Sequence, residues 1–302
     1  MSDRRRADID WRAARTFSLV YPTGRDDVDE VLARAAHDVV FENALNPLRF
    51  PSLGLMEREV IEMTGSLLGA PPTGGGVFTS GGTESIVMSV LSAREKFRAR
   101  GGVGGRVVTP ISAHPAFAKA AHLLGLEHVT TPLDDDFRAN VPAWLSELRD
   151  DTVLTMGSAY SYPHGVIDPI AAMADAAGER DIPFHTDACI GGFVLPFLDE
   201  LGVSVPGWDF RVPGVTQISA DVHKYGYATK GASVITYRDR ADLRAQIFTY
   251  HEWPGGMYRT PGVAGARAAS PIAAAWAVMK IGRAPRLNSS HGYISYAVFC
   301  LK

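Results

Sequence analysis

The chain has 302 residues, 46% of them hydrophobic and 21% charged, with a mean hydropathy near zero. That length holds one large domain or two ordinary ones. A formal charge of −3 and a pI of about 6.3 argue against a nucleic-acid binder. Two cysteines, Cys189 and Cys300, form no CxxC pair, so neither a disulfide framework nor a cysteine zinc site is expected. No apolar run approaches the roughly 18 residues of a membrane span. The best candidate, Pro271 to Met279, is short and alanine-rich. The N-terminus lacks the residue order of a signal peptide, and Arg4-Arg5-Arg6 reads as a solvated terminus. A cytoplasmic protein is expected.

Val28, Val31, Leu32, Ala35, Val39 and Val40 recur at helical spacing and predict a helix over Asp26–Phe41. Asn46-Pro47 and Phe50-Pro51 break that pattern, and a second helix is expected over Leu55–Leu68, stopped by Gly69. From Gly74 to about Arg238, short apolar runs alternate with helical patterns. Strands are expected at Arg106–Thr109, Glu127–Thr130, Thr152–Met156, Ile182–His185, Thr216–Ser219 and Ala232–Tyr237. Helices are expected at Thr83–Arg100, Ala116–Leu124, Val141–Leu148 and Ile170–Arg180. The alternation argues for an α/β fold with a largely parallel sheet. Ligands bind such sheets at the carboxyl ends of the strands.

Three segments there carry chemistry. Thr79-Ser-Gly-Gly-Thr-Glu-Ser85 leads into a helix, with two glycines for close backbone approach and Thr83 as a candidate cap. Free amides and the helix dipole suit a phosphate, although the lysine of a mononucleotide P-loop is missing. Phe184-His-Thr-Asp-Ala-Cys189 offers Asp187, which can hold a protonated ring nitrogen or simply cap a turn. His185 alone suits a core position as well as a catalytic one. Ile218-Ser-Ala-Asp-Val-His-Lys-Tyr-Gly-Tyr227 puts Lys224 just past a strand. Partial burial there lowers a lysine's pKa and frees the amine for a Schiff base, whereas a solvated turn would leave it inert. A phosphate cradle, a ring-nitrogen acid and a strand-end lysine together match what pyridoxal phosphate requires.

These segments, with Pro163-His-Gly-Val-Ile-Asp-Pro169, resemble the sphingosine-1-phosphate lyases among the group II pyridoxal-phosphate-dependent decarboxylases, from about Tyr21 to Lys280. The resemblance implies the large domain of the aspartate-aminotransferase fold, type I, and a homodimer. It implies an N-terminal segment, 1–55, serving active site and dimer, and a cofactor-binding domain, 56–280. Lys224 would carry the cofactor, Asp187 would hold its ring nitrogen, and His114 would stack on the ring. Gly81, Gly82, Thr83 and His223 would hold or neighbour its phosphate, with Cys189 beneath the ring. Tyr21 and Lys230 match positions that contact a substrate phosphate. No metal site is implied.

Three departures accompany the resemblance. Asn46 stands where the family carries a histidine in Asn-x-x-His-Pro. Ala264-Gly-Ala-Arg-Ala-Ala-Ser270 replaces a Ser-Arg-Pro-Gly-Gly loop that reaches the cofactor phosphate across the dimer. After Lys280 the family continues into a small C-terminal domain of roughly a hundred residues. Residues 281–302 are here expected to be a divergent, frameshifted or truncated tail.

The implied reaction is carbon–carbon cleavage of a 2-amino-3-hydroxy compound to an aldehyde and an amine, with Lys224 or His223 moving protons. Amino-acid decarboxylation is the alternative, favoured by Asn46, since a decarboxylase has no substrate phosphate to bind. Further alternatives are a catalytically silent cofactor-binding protein and a metal hydrolase built on His185, Asp187 and His223.

Overall fold

A computed structural model describes residues 7–12, 18–198 and 201–281. The expectation for the tail beyond Ile281, and for Cys300 within it, lies outside the described residues. The centre is a seven-stranded sheet ordered β1-β7-β6-β5-β4-β2-β3. Its strands are β1 (Gly75–Thr79), β2 (Arg106–Pro110), β3 (Glu127–Thr131), β4 (Thr152–Ser158), β5 (Phe184–Asp187), β6 (Val215–Ala220) and β7 (Ser233–Tyr237). Pairings among β2 to β6 are parallel, and β7 runs antiparallel to β1 and β6. Every residue of β2, β4, β5 and β7 is buried. Such strands read as continuous apolar runs because helices cover both faces of the sheet.

The helices are α1 (Asp26–Asp38), α2 (Pro51–Leu67), α3 (Gly82–Ala99), α4 (Ala116–Leu124), α5 (Val141–Glu147), α6 (Ile170–Gly178), α7 (Arg240–Ala245) and α8 (Ala269–Ile281). Two expected boundaries shift for local reasons. Pro51 opens α2 at its first turn instead of breaking the chain, because proline's missing amide is unneeded there and its φ is already helical. α1 stops at Asp38, with only Val28 and Leu32 buried; Val40 is exposed.

Five elements had no expectation, the short helix α7 among them. β1 is glycine-rich, and a Cβ on Gly76 would sit 2.8 Å from the Ile235 carbonyl oxygen, so the close approach to β7 needs glycine. α8 is the alanine-rich stretch, packed against α1 and α2. β8 (Phe248–Tyr250) and β9 (Tyr258–Thr260) form a hairpin of three-residue strands.

The loop between this hairpin and α8 is tied to the body by Arg267. Its guanidinium pairs with Glu57 of α2 and donates to the carbonyls of Ala44 (3.2 Å) and Phe78 (3.4 Å). One side chain thus joins the N-terminal segment, α2, β1 and the entry to α8. Among the described residues no helix is long and apolar enough to cross a membrane.

Candidate functional site

A cavity of about 320 Å³ opens where β1 meets α3, beside the ends of β5 and β6. It is lined by Gly81, Gly82 and Thr83 of the α3 turn, by His114 and Cys189, and by His223 and Lys224 after β6. Seven of the residues expected from the sequence therefore meet in one place. The parallel strands deliver them there because their carboxyl ends share one edge of the sheet.

The glycines are sterically required. Gly81 has φ of +153°, a conformation side chains rarely adopt. A Cβ on Gly82 would come 2.7 Å from Cys189 Sγ and 2.9 Å from Asp221 Oδ2. The expected Thr83 cap is not formed. The cap position belongs to Gly81, and no side chain bonds back to the helix amides there. The first-turn amides of α3 are left with the helix dipole to receive an anion. Glu84 is turned away from those amides: Oε2 accepts from the Ser80 amide (2.7 Å) and hydroxyl (2.6 Å), and Oε1 from the Val263 amide (3.0 Å).

Lys224 does not behave as the sequence suggested. Burial pulls its pKa down, but this is outweighed by the negative charge of Cys189 (a thiolate only at high pH), Asp221 and Asp187. The net shift is upward, so the amine is held as an ammonium, 2.9 Å from Asp221 Oδ2. His223 shifts the other way, lowered by burial and by the nearby Lys230 and Lys224 despite Asp221. The Ala232 amide donates to its Nδ1 at 3.1 Å. The neutral ring therefore carries its hydrogen on Nε2.

Asp187 ends β5 and is almost fully buried. Its Oδ1 accepts from the Cys189 amide (3.1 Å) and the Ser219 hydroxyl (3.4 Å). Ser219 in turn contacts His185 Nε2 at 2.9 Å, and His185 Nδ1 meets Ser89 Oγ at 2.8 Å. His185 is thus a core residue in a relay of hydrogen bonds that orients Asp187. With both ring nitrogens engaged, it is not available as the first ligand of a metal hydrolase. Among the described residues no group of three or more His, Cys, Asp or Glu is arranged to hold a metal ion.

Burial also carries a pH signature. It lowers the His185 pKa from 6.5 to about 4. The unfolded chain therefore binds the proton that the folded one refuses. Stability is fully present above about pH 6.5 and is lost as pH falls towards 4. Between pH 7 and pH 5 the loss is roughly 2 kcal/mol. Urea unfolding at the two pH values reads it, and His185→Asn should remove most of the difference. An unchanged difference in that variant would assign the slope elsewhere.

Two expected residues lie beside the cavity. Lys230 Nζ sits 4.8 Å over the Tyr21 ring and donates to the His223 carbonyl at 3.4 Å. Burial lowers the Lys230 pKa, with Lys224 adding to the effect. Burial raises Tyr21 to about 12 although Lys224 opposes it. Asn46 is not brought in: it is exposed, and its Oδ1 accepts from the Leu48 amide (3.0 Å). Sequence reading missed Asp221, whose spacing of three from Lys224 was the available signal.

The donor set fits pyridoxal phosphate. A strand-end amine, a carboxylate that can face a ring nitrogen and an uncapped helix start whose glycines keep a Cβ out of the cradle are its binding requirements. Asp221 Oδ1, buried with no hydrogen-bond partner, marks the cavity as incomplete by itself. The fold and site thus define a pyridoxal-phosphate protein with the lysine after β6. A model of the pyridoxal-dependent decarboxylase conserved domain matches residues 15–252, and the chain belongs to that family.

Within the family it is similar to sphingosine-1-phosphate lyase 1 of Rattus norvegicus, 40% identical over 273 residues covering 90% of this chain and 48% of the relative. The sphingosine-1-phosphate lyase of Arabidopsis thaliana is also 40% identical, over 92% of this chain and 53% of the relative. The chain thus spans about half the length of these curated relatives. The solved sphingosine-1-phosphate lyase of Burkholderia pseudomallei superposes with a TM-score of 0.89 at 38% identity, covering 98% of this chain and 67% of that one. A glutamate decarboxylase of Lactobacillus brevis shares the fold, with a TM-score of 0.74 at 22% identity.

Proposed function

We propose that the protein is a pyridoxal-phosphate-dependent carbon–carbon lyase, cleaving a phosphorylated long-chain 2-amino-3-hydroxy compound to an aldehyde and an amine. The observation that carries this reading is Lys230, held over Tyr21 and against the His223 carbonyl beside the cofactor lysine. A second cation there serves a second phosphate, which an amino-acid decarboxylase does not need. The names of the similar proteins support the same substrate class.

In this reading Lys224 is the residue that would hold the cofactor aldehyde covalently, and a substrate amine would displace it. Gly81, Gly82 and Thr83 present amides to the cofactor phosphate, and His223 flanks it with Nε2–H. Asp187, held in line by Ser219 and His185, would accept a hydrogen bond from a protonated ring nitrogen. His114 and Cys189, which both line the cavity, would pack against the ring. When bound, pyridoxal phosphate draws off the electron pair of the bond broken at the substrate's α-carbon. Lys224, freed from the cofactor, is the proton carrier, since His223 Nδ1 is engaged by Ala232. A homodimer belongs to the same proposal, supported by exposed Phe41 and Leu48 near the bridge between Asn43 and Ala268.

Product analysis tests the reading. Incubation with a long-chain 2-amino-3-hydroxy phosphate should give aldehyde and phosphoethanolamine in equal amounts. Lys230→Ala should raise KM about 10- to 100-fold, the range of one charge-assisted contact, with a smaller effect on a substrate lacking the phosphate. Carbon dioxide released from amino acids, without aldehyde, would contradict the proposal in favour of decarboxylation.

A further inference from the structure

The motif Pro163-His-Gly-Val-Ile-Asp-Pro169 lies outside the cavity, yet it carries a buried carboxylate. Asp168 is 1% exposed, and both its oxygens accept from backbone amides, Oδ1 from Ala139 and Oδ2 from Ser158, each at 2.8 Å. Its own amide donates to the Ser158 carbonyl at 3.0 Å. Ser158 is thus gripped on both backbone groups by one residue. Residues 159–167 form a loop with Asp168 at its neck. The loop is closed by bonds from the Ser161 amide to the Val166 carbonyl (2.8 Å) and from the Gly165 amide to the Ser161 carbonyl (2.9 Å). Burying a carboxylate is costly, and burial raises the Asp168 pKa against its two amide bonds. An apolar side chain would pack there without that cost, but it would leave both amides unbonded.

The end of β4 needs those bonds. β2 pairs with β4 only as far as Thr155, so Met156, Gly157 and Ser158 have β5 alone as a neighbouring strand. On this overhang Ser158 lies opposite Asp187, and the Ala159 amide donates to the Asp187 carbonyl at 2.8 Å. On its other side β5 is braced by β6. The Ser219 carbonyl receives the Ala188 amide (3.0 Å), and the Ser219 hydroxyl reaches Asp187 Oδ1 (3.4 Å). β6 is itself backed by β7. No strand backs the end of β4, and Asp168 with the Ala139 loop takes that place. Gly157 keeps the contact close: a Cβ there would stand 3.0 Å from Ile170 Cγ1 and 3.2 Å from Phe184 Cζ.

We propose that Asp168 is a positioning residue of the site, fixing the overhanging end of β4 so that Asp187 stays aligned to hold the cofactor's ring nitrogen. The inference rests on the cofactor reading above. Asp168 acts only through Ser158, Ala159 and the backbone of Asp187. Asparagine at 168 keeps one acceptor oxygen and turns an NH2 group towards the other amide, so one arm of the clamp opens.

Hydrogen exchange in cofactor-free protein reads the clamp without loading. In Asp168→Asn the amides of Ala159 and Cys189 should exchange at least about 10-fold faster relative to Val234 and Ile235 of β7, which report general stability. The Cys189 amide is the most telling, because it donates to Asp187 Oδ1. A merely structural Asp168 would speed all four alike. With pyridoxal phosphate isotope-labelled at its ring nitrogen, magnetic resonance then follows the protonation of that atom in the loaded protein. Its pH midpoint should fall by at least about one unit in Asp168→Asn. With substrate, kcat should fall about 10-fold and KM stay within about 3-fold, since a weaker hold on the ring nitrogen is felt where the bond breaks.

Should Asp168→Asn fail to fold, the unmodified protein decides. Coupling is reciprocal, so loading must tighten the clamp. The amides of Ala139 and Ser158 should then gain more protection than that of Val107 in β2, and an equal gain would overturn the inference. Uniform acceleration of exchange in Asp168→Asn would also overturn it. An unchanged ring-nitrogen midpoint, seen while a visible cofactor band forms, would do the same and leave the cofactor reading intact. A missing visible band would overturn the cofactor reading and the ring-nitrogen role with it. Exchange in the cofactor-free protein would still decide whether Asp168 clamps Asp187.

Discussion

Arg267→Ala is expected to destabilise the protein by about 3–5 kcal/mol, the range for breaking a buried ion pair from one side. The Arg267 and Glu57 side chains are only 14% and 15% exposed. Removing the guanidinium leaves the Glu57 carboxylate facing protein instead of water, and unbonds the carbonyls of Ala44 and Phe78. The Tm should drop by roughly 10 °C. Glu57→Met together with Arg267→Met should recover part of that loss, since well-packed apolar replacements avoid the uncompensated charge. A single-variant Tm within 2 °C of the parent would show that the pair holds nothing together. The consequence reaches the site because Arg267 donates to the carbonyl of Phe78, one residue before the Thr79–Ser85 turn.

Lys224→Ala is expected to lower turnover by at least about 10³-fold while the fold persists. Three effects combine in that variant. In the proposed reaction the covalent tether and the proton carrier would be lost, and Asp221 would be left buried without its ammonium. Residual turnover within 10-fold of the parent, measured by aldehyde release, would remove Lys224 from the reaction.

The central fold was readable because β2, β4, β5 and β6 are short apolar runs separated by helical periods. β1 was not, since Gly74, Gly75 and Gly76 carry no hydrophobic period, Gly74 and Gly76 being required by the close approach to β7. α8 was missed because its buried residues are mostly alanines, which give no amphipathic contrast. Strands of three residues, β8 fully exposed and β9 with only Thr260 buried, leave no pattern to read. In the site, the α3 turn and the lysine segment stood out through glycine and charge at strand ends. The protonation of Lys224 did not: it depends on Asp221 lying 2.9 Å away while burial pulls the other way. His185 could face either side of β5 from sequence alone, and only the serines on both its nitrogens decide for the core.

We propose a covalent pyridoxal-phosphate site at Lys224. It is tested most directly by the visible absorption spectrum of the protein with added pyridoxal phosphate, before and after borohydride, beside Lys224→Ala. A visible band that borohydride bleaches, leaving cofactor fixed to the peptide containing Lys224 and to none in the variant, is the predicted result. No band in the unmodified protein, or a trapped cofactor on another lysine such as Lys230, would contradict it.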